Sequence, residues 1–321
     1  MTTLRDAGRV IDSFLRYHLS LGFAHIFLFF DDPSDPVLRD AGKYPGVTAV
    51  RHDDALRRAW LQMPSYSGHA AFVGREVMSR QVLNVEVAMH LARAGGFAWL
   101  LHLDSDELFL PGRASVADHF DELSRSRTET VNYQNYEAVP EWQEIGDFFR
   151  DVDLFKVPPA LNPKPVTAHG IDILRATRQL QPNFFHFYGS GKSAVRLSAP
   201  GMRPNGVHHF DRADGPLVAV ESPDGFILHY ACCGFEAFWT KYRTLGRFAD
   251  DWWGKYRIAG MIGPLHVEAR DVVMTGDRDA ALEFYRQRIQ IEDAERVATL
   301  LELGFLQRFS LPRKILSRPA G

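Results

Sequence analysis

The chain is expected to fold as an α/β protein with an open sheet over its amino-terminal half, and three sequence features carry that expectation. Residues 24–30 and 97–103 are short apolar runs that read as buried strands. Both run directly into carboxylates, Asp31-Asp32 after the first and Asp104-Ser105-Asp106-Glu107 after the second. Helical periodicity precedes each of them. Alternating strands and helices indicate a sheet covered by helices, and the carboxyl ends of such strands are where ligands bind.

Taken in order, Val10, Ile11, Phe14, Leu15, Leu19 and Leu21 recur at helical spacing, and Gly22 stops the helix before the first strand. Asp31 to Pro36 form a polar turn. A shorter strand is expected over 47–51. A long helix over 74–94 carries the apolar stripe Met78, Val82, Val85, Met89 and Ala92 and is broken by Gly95-Gly96. Beyond Pro111 the pattern loosens to a helix over 115–123, a strand over 129–132, and loops and short strands marked by prolines at 158, 159, 163 and 165. Residues 184–210 alternate aromatic, glycine and histidine residues, residues 235–256 are aromatic-rich and read as helical, and residues 277–303 are helical again. No internal repeat is seen. The expected division is an α/β domain over 1–265 and a carboxyl-terminal helical extension with a basic tail over 266–321.

Composition narrows the function classes. With 37 Lys and Arg against 40 Asp and Glu, the formal net charge of -3 provides no basic field for a nucleic-acid backbone. The two cysteines, Cys232 and Cys233, are adjacent, a spacing unlike a disulfide framework or a paired-cysteine zinc site, which fits a reducing compartment. No apolar run approaches the roughly 20 residues that span a bilayer. Arg5, Asp6 and Arg9 interrupt the region where a signal peptide would need its apolar core. A cytoplasmic protein without a transmembrane segment is therefore expected. The basic end, Gln307-Arg308 through Arg313-Lys314 to Arg318, reads as a solvated tail, against the alternative of a contact with an anionic membrane surface or a lipid-linked acceptor.

Asp104-Ser105-Asp106 places two carboxylates side by side after a buried strand, an oxygen-rich donor set of the kind hard divalent ions such as Mg²⁺ or Mn²⁺ prefer. Turns are also rich in Asp for local hydrogen-bonding reasons, so the tripeptide alone is weak evidence.

A set of motifs is more specific in combination. Phe14-x-x-Tyr17-His18-Leu19-x-Leu21-Gly22-Phe23, then Ile26-Phe27-Leu28-Phe29-Phe30-Asp31-Asp32, then Trp99-Leu100-Leu101-His102-Leu103-Asp104-Ser105-Asp106-Glu107 resemble the family 2-like and family 92-like glycosyltransferases. Arg80-Gln81-x-x-Asn84, Gly191-Lys192-Ser193-Ala194-Val195-Arg196, Gly206-Val207-His208 and Leu228-His229-Tyr230 extend the resemblance to about Phe248. It implies a GT-A-like (Rossmann-like) mixed sheet flanked by helices, a nucleotide-sugar donor with UDP-sugars favoured, a carbohydrate or glycoconjugate acceptor, and a divalent metal, Mn²⁺ or Mg²⁺, at Asp104 and Asp106. One departure is the opening strand, since only Thr2, Thr3 and Leu4 precede Arg5 and Asp6.

The resemblance places the backbone around Thr3 and Asp6 along the base pocket and makes Asp31 or Asp32 an acceptor from base or ribose, against the alternative of turn or N-cap residues. Arg80 and Asn84 lie one turn apart and would face the diphosphate, against the alternative of a solvated helix face. Lys192 and Arg196 would contact the diphosphate as point charge and fork. A P-loop is excluded there, because its first glycine would fall on His186. His229 is the favoured third metal ligand with His208 in reserve and His209 behind it, against the alternative of satisfied core histidines. The base for an inverting transfer comes from Glu137, Glu141, Glu144 and Asp147, with Glu137 and Glu141 preferred. Trp142, Trp239 and Trp252 are acceptor-side stacking candidates or core residues. The rival functions are a nucleotidyltransferase and a non-catalytic nucleotide- or carbohydrate-binding protein.

Overall fold

Strands of three to five residues, of which Ile26–Phe30 and Trp99–Leu101 lie in the apolar runs expected, make up the principal sheets of the computed structural model, which describes every residue except 7, 9, 163, 165–169, 173, 175–179, 182, 183, 185–188, 259–264 and 319–321. In chain order these strands are β1 (Thr2–Leu4), β2 (Ile26–Phe30), β3 (Val47–Arg51), β4 (Trp99–Leu101), β5 (Glu107–Pro111), β6 (Thr130–Tyr133), β7 (Asn135–Ala138), β8 (Leu154–Lys156), β9 (Lys192–Arg196), β10 (Met202–Asn205), β11 (His209–Arg212), β12 (Ala219–Glu221) and β13 (Gly225–His229). They belong to two compact units that interleave in sequence: Met1–Gln134 with Ser190–Ile227, and Asn135–Gly189 with Leu228–Pro319.

In the first unit β1 and β3 both pair in parallel with β2, with Thr2 opposite Leu28 and Ile26 opposite Val47. Each side chain of β2 is buried, as a parallel strand covered on two faces requires. The backbone of Met1 bridges to the next strand: its carbonyl accepts from Leu103 N at 3.0 Å and its nitrogen donates to Leu101 O at 2.7 Å. Across this bridge the order runs β3-β2-β1 in one sheet and then β4 of a second, which resembles a Rossmann-like half-sheet. Antiparallel β9 joins β4 to β6, and β12 adds in parallel beyond β6, so the sheet is mixed. The short opening strand is three residues long, lies at the edge of its sheet and is bridged through Met1 to the segment after β4.

The helix Ile11–Ser20 is tied to β5 through Tyr17, whose hydroxyl donates to Phe109 O at 2.9 Å. The long helix forms over Val77–Ala94, and its residues from Ser79 to Met89 are all buried, polar side chains included. Its apolar side packs Leu83, Val85, Ala88 and Met89 with Phe27, Phe29, Trp60, Leu100 and Val195. An additional helix, Asp54–Trp60, starts at Asp53, whose carboxylate accepts from Ala55 N and Leu56 N.

In the second unit β8 pairs antiparallel with β7 and with the strand Leu306–Arg308. Helices Phe235–Leu245, Leu265–Met274 and Arg278–Arg288 share a core of Phe238, Tyr242, Val273 and Tyr285. The first of these ends earlier than its aromatic content suggests, because Gly246 takes φ 67° and redirects the chain into the short antiparallel pair Asp251–Trp252 and Tyr256–Arg257. The basic carboxyl end is not a solvated tail. Leu306–Arg308 is a strand and Leu311–Leu316 a helix, with Arg308 paired to Glu141 and Asp153, and Arg313 to Asp153 and the carbonyls of Arg150 and Asp151. Among the described residues no helix is long and apolar enough to cross a membrane.

His18 is buried, with Nδ1 placed to donate to Phe14 O at 2.9 Å while Nε2 accepts from Phe109 N at 3.2 Å. That pairing needs the neutral ring, and burial pulls its pKa down to about 3. An unfolded histidine titrates near 6.5, so below that value the unfolded chain binds more protons than the folded one. Urea unfolding should show His18 contributing nothing to the pH dependence above about pH 6.5, then a loss on the order of 1 kcal/mol per pH unit from this residue as pH falls towards 3.

Candidate functional site

The polar side of the helix Val77–Ala94 points at strand ends instead of solvent, and its buried side chains have specific partners. Arg80 forms a two-toothed ion pair with Asp31, with Nη2 donating to Oδ2 at 2.9 Å, and its Nη1 donates to Val73 O. Gln81 Nε2 donates to Asp104 Oδ1 at 2.8 Å. Asn84 bridges β1 to the preceding helix, its Nδ2 donating to Thr3 Oγ1 and its Oδ1 accepting from Trp60 Nε1, both at 3.0 Å. Ser65 donates through Oγ and backbone N to Glu86. Buried polar groups are costly unless paired, so these contacts fix the helix rotation and with it Asp31 and Asp104.

Asp104 to Glu107 form a closed turn. Glu107 N donates to Asp104 O at 3.1 Å, and Asp104 N donates back to Glu107 Oε2 at 2.7 Å. Lys192, at the start of β9, reaches into it: Nζ donates to Asp104 Oδ2 at 2.7 Å, lies 3.7 Å from Glu107 Oε2 and is within 3.4 Å of Val207 O. The Lys192 side chain has no exposed surface, whereas that of Asp104 is 30% exposed. Burial would lower the lysine pKa, but Asp104 and then Glu107 outweigh it and raise it above the ordinary value. Burial likewise pushes the Asp104 carboxyl up, and the Lys192 ammonium more than reverses this, holding it well below the usual carboxylate range.

The lysine reaches this position because Gly191 lets β9 start hard against β6. Gly191 has φ 63°, and a β-carbon on it would fall 2.0 Å from Tyr133 O. Its carbonyl accepts from His208 Nδ1 at 2.8 Å, and Ser193 Oγ donates to His208 O at 2.7 Å. Burial first, and then the Lys192 charge, pull the His208 pKa down to about 3, so the ring is neutral. His102, buried beside the turn, is lowered by the same two causes, and its Nε2 has no hydrogen-bond partner.

Thr3, Asp31, Arg80, Asn84, Asp104, Ser105, Asp106, Lys192 and His208 are therefore gathered in the first unit around the carboxyl ends of β1, β2 and β4. Asp6 follows β1 with φ 57°, its backbone N donating to Asp35 Oδ2. Asp32 accepts from Ser34 N and Oγ, the local turn chemistry that competes with a ligand role. Arg196 stands apart from Lys192. Four residues along a strand separate them by roughly 13 Å, and its Nη2 donates to Leu123 O and Ser124 O. His209 is exposed. Glu107, part of the carboxylate cluster read from the sequence, and Gln81, singled out there for no role of its own, are both partners of Asp104.

In the second unit His229 Nδ1 lies 2.8 Å from Glu137 Oε2, both side chains being nearly buried, and Lys156 faces Glu137 across the β7–β8 pair. Both carboxylate oxygens of Glu141 accept from Arg308 at 2.8 Å. Asp147 caps a one-turn helix through Phe149 N. Glu144 is exposed, Trp142 is 56% exposed, and Trp239 packs against Phe235 and the guanidinium groups of Arg243 and Arg278. Trp252 lies in the short strand pair. Pro163, Pro165 and His186 lie outside the described residues.

A resident divalent ion at Asp104 does not fit this donor set. Asp104 Oδ2 and Oδ1 already accept from Lys192 and Gln81, and Glu107 Oε2 accepts from Asp104 N. Among the described residues no group of three or more His, Cys, Asp or Glu is arranged to hold a metal ion.

Gly191→Ala should destabilise the protein by about 2–4 kcal/mol, from the positive φ and the overlap with Tyr133 O together. Urea unfolding of the purified variant checks this, and an unchanged midpoint would mean that β9 can start elsewhere.

No protein-family model matches the chain. Two proteins of Arabidopsis thaliana, both named glycosyltransferase-like, are similar to it. One is 28% identical over 318 residues, covering 95% of this chain and 69% of that protein. The other is 26% identical over 330 residues, covering 95% of this chain and 60% of that protein, so the chain spans less than two thirds of this second relative.

Proposed function

We propose that the chain is a glycosyltransferase of GT-A-like fold, moving a hexosyl unit from a nucleotide diphosphate sugar, UDP-sugars first, to a carbohydrate or glycoconjugate acceptor with inversion. The observation that carries this is the Asp104–Glu107 turn at the end of β4, next to the ends of β1 and β2, where a sheet of this strand order binds nucleotides. Similarity to two glycosyltransferase-like proteins supports the same conclusion.

In this scheme the base and ribose lie over the backbone of Thr3 to Asp6 and the carboxylates of Asp31 and Asp32. Arg80 and Ser34 hold those carboxylates in fixed orientations. Ser105 and Asp106, half-buried at the tip of the turn, meet the hydroxyl groups of the donor sugar. The acceptor oxygen attacks the anomeric carbon, the bond to the phosphate oxygen breaks, and the nucleotide diphosphate leaves with the electron pair. The acceptor proton goes to a base. Of the two preferred carboxylates, Glu137 is hydrogen-bonded to His229 Nδ1. Glu141 ranks behind it because Arg308 engages both of its oxygens.

Incubation with UDP-hexoses and an oligosaccharide acceptor mixture should release UDP, and Asp106→Asn should slow release on the order of a hundredfold with an unchanged melting temperature. Release of pyrophosphate would instead identify a nucleotidyltransferase, and binding of UDP-sugar without turnover a binding protein.

A further inference from the structure

We infer that Lys192 is the built-in cation of the Asp104–Glu107 turn: its ammonium takes the place between the two carboxylates that a divalent ion would otherwise occupy, and the free protein holds no resident metal there. The case rests on geometry. Nζ sits 2.7 Å from Asp104 Oδ2 and 3.7 Å from Glu107 Oε2 with no exposed surface. A cation added at the same oxygens would face this ammonium at close range and be repelled by it.

The start of the lysine side chain is fixed as well. Its backbone is pinned in β9, where Lys192 pairs with Tyr133 and the preceding Gly191 is packed against Tyr133 O. Three of the carboxylate oxygens nearest the turn already accept hydrogen bonds. Asp104 Oδ1 is aimed at Gln81, and the Glu107 oxygen nearest the lysine also closes the turn on Asp104 N. A buried ammonium needs opposite charge beside it, so Asp104 and Glu107 are required by Lys192 as much as Lys192 is by them. The inference concerns the residues of the proposed donor site but holds whether or not a nucleotide binds, and its test contains none.

The experiment is a Mn²⁺ titration of chelator-stripped full-length protein, followed by the electron spin resonance of aquo-Mn²⁺ and by thermal melting in EDTA and in Mn²⁺. For the unmodified protein we expect no Mn²⁺ uptake that Asp104→Asn removes, and the same melting temperature in both buffers. For Lys192→Met we expect a lower melting temperature in EDTA that Mn²⁺ restores, with Mn²⁺ affinity at least about tenfold higher than in the unmodified protein. Saturable uptake by the unmodified protein that Asp104→Asn abolishes would overturn the inference, as would a folded Lys192→Met protein that gains no Mn²⁺ affinity. Should Lys192→Met fail to fold, the comparison of the unmodified protein with Asp104→Asn decides the matter alone.

Discussion

A buried ammonium is tolerated only beside negative charge, and that constraint at Lys192 sets the geometry around the carboxyl end of β4. Asp104 and Glu107 must converge on one point for the lysine to stay charged, which forces the chain from 104 to 107 into a closed turn. The turn leaves Ser105 and Asp106 at its tip. Half-buried residues of the motif are thus held by a cation with no exposed surface.

The helix Val77–Ala94 supplies the second half of the framework. Its buried polar residues reach five places in the chain: Arg80 takes the end of β2, Gln81 the end of β4, Asn84 takes β1 and Trp60, and Glu86 takes Ser65. A helix anchored by directional bonds on one side and by Leu83, Ala88 and Met89 on the other has little freedom to rotate or slide. Asp31 and Asp104 are consequently held from the same helix, which ties two strand ends into one surface and fits the role proposed for them in holding one ligand.

Local pattern made part of this legible. β2 and the long helix follow from apolar runs and helical periodicity, and the placement of Asp31 and Asp104 at strand ends follows from where those runs stop. Pairings between distant residues were not legible in the same way. Arg80 meets Asp31 across 49 residues and Lys192 meets Asp104 across 88, separations over which the sequence carries no spacing signal. Arg196 shows the converse, since its place in the Gly191-to-Arg196 motif suggested a partnership with Lys192 that strand geometry separates by roughly 13 Å. The basic end at Arg308 and Arg313 looked solvated because its acidic partners, Glu141 and Asp153, stand more than 150 residues earlier.

A double-mutant cycle of Lys192→Met with Asp104→Asn, measured by urea unfolding, tests most directly whether the buried pair organises the site. Each single change leaves one group of the pair without its partner at a cost of about 3–5 kcal/mol, and the double change should cost well below the sum of the two, a coupling of about 2 kcal/mol or more. Additive losses within about 0.5 kcal/mol would contradict the account and show that Lys192 and Asp104 are held in place independently.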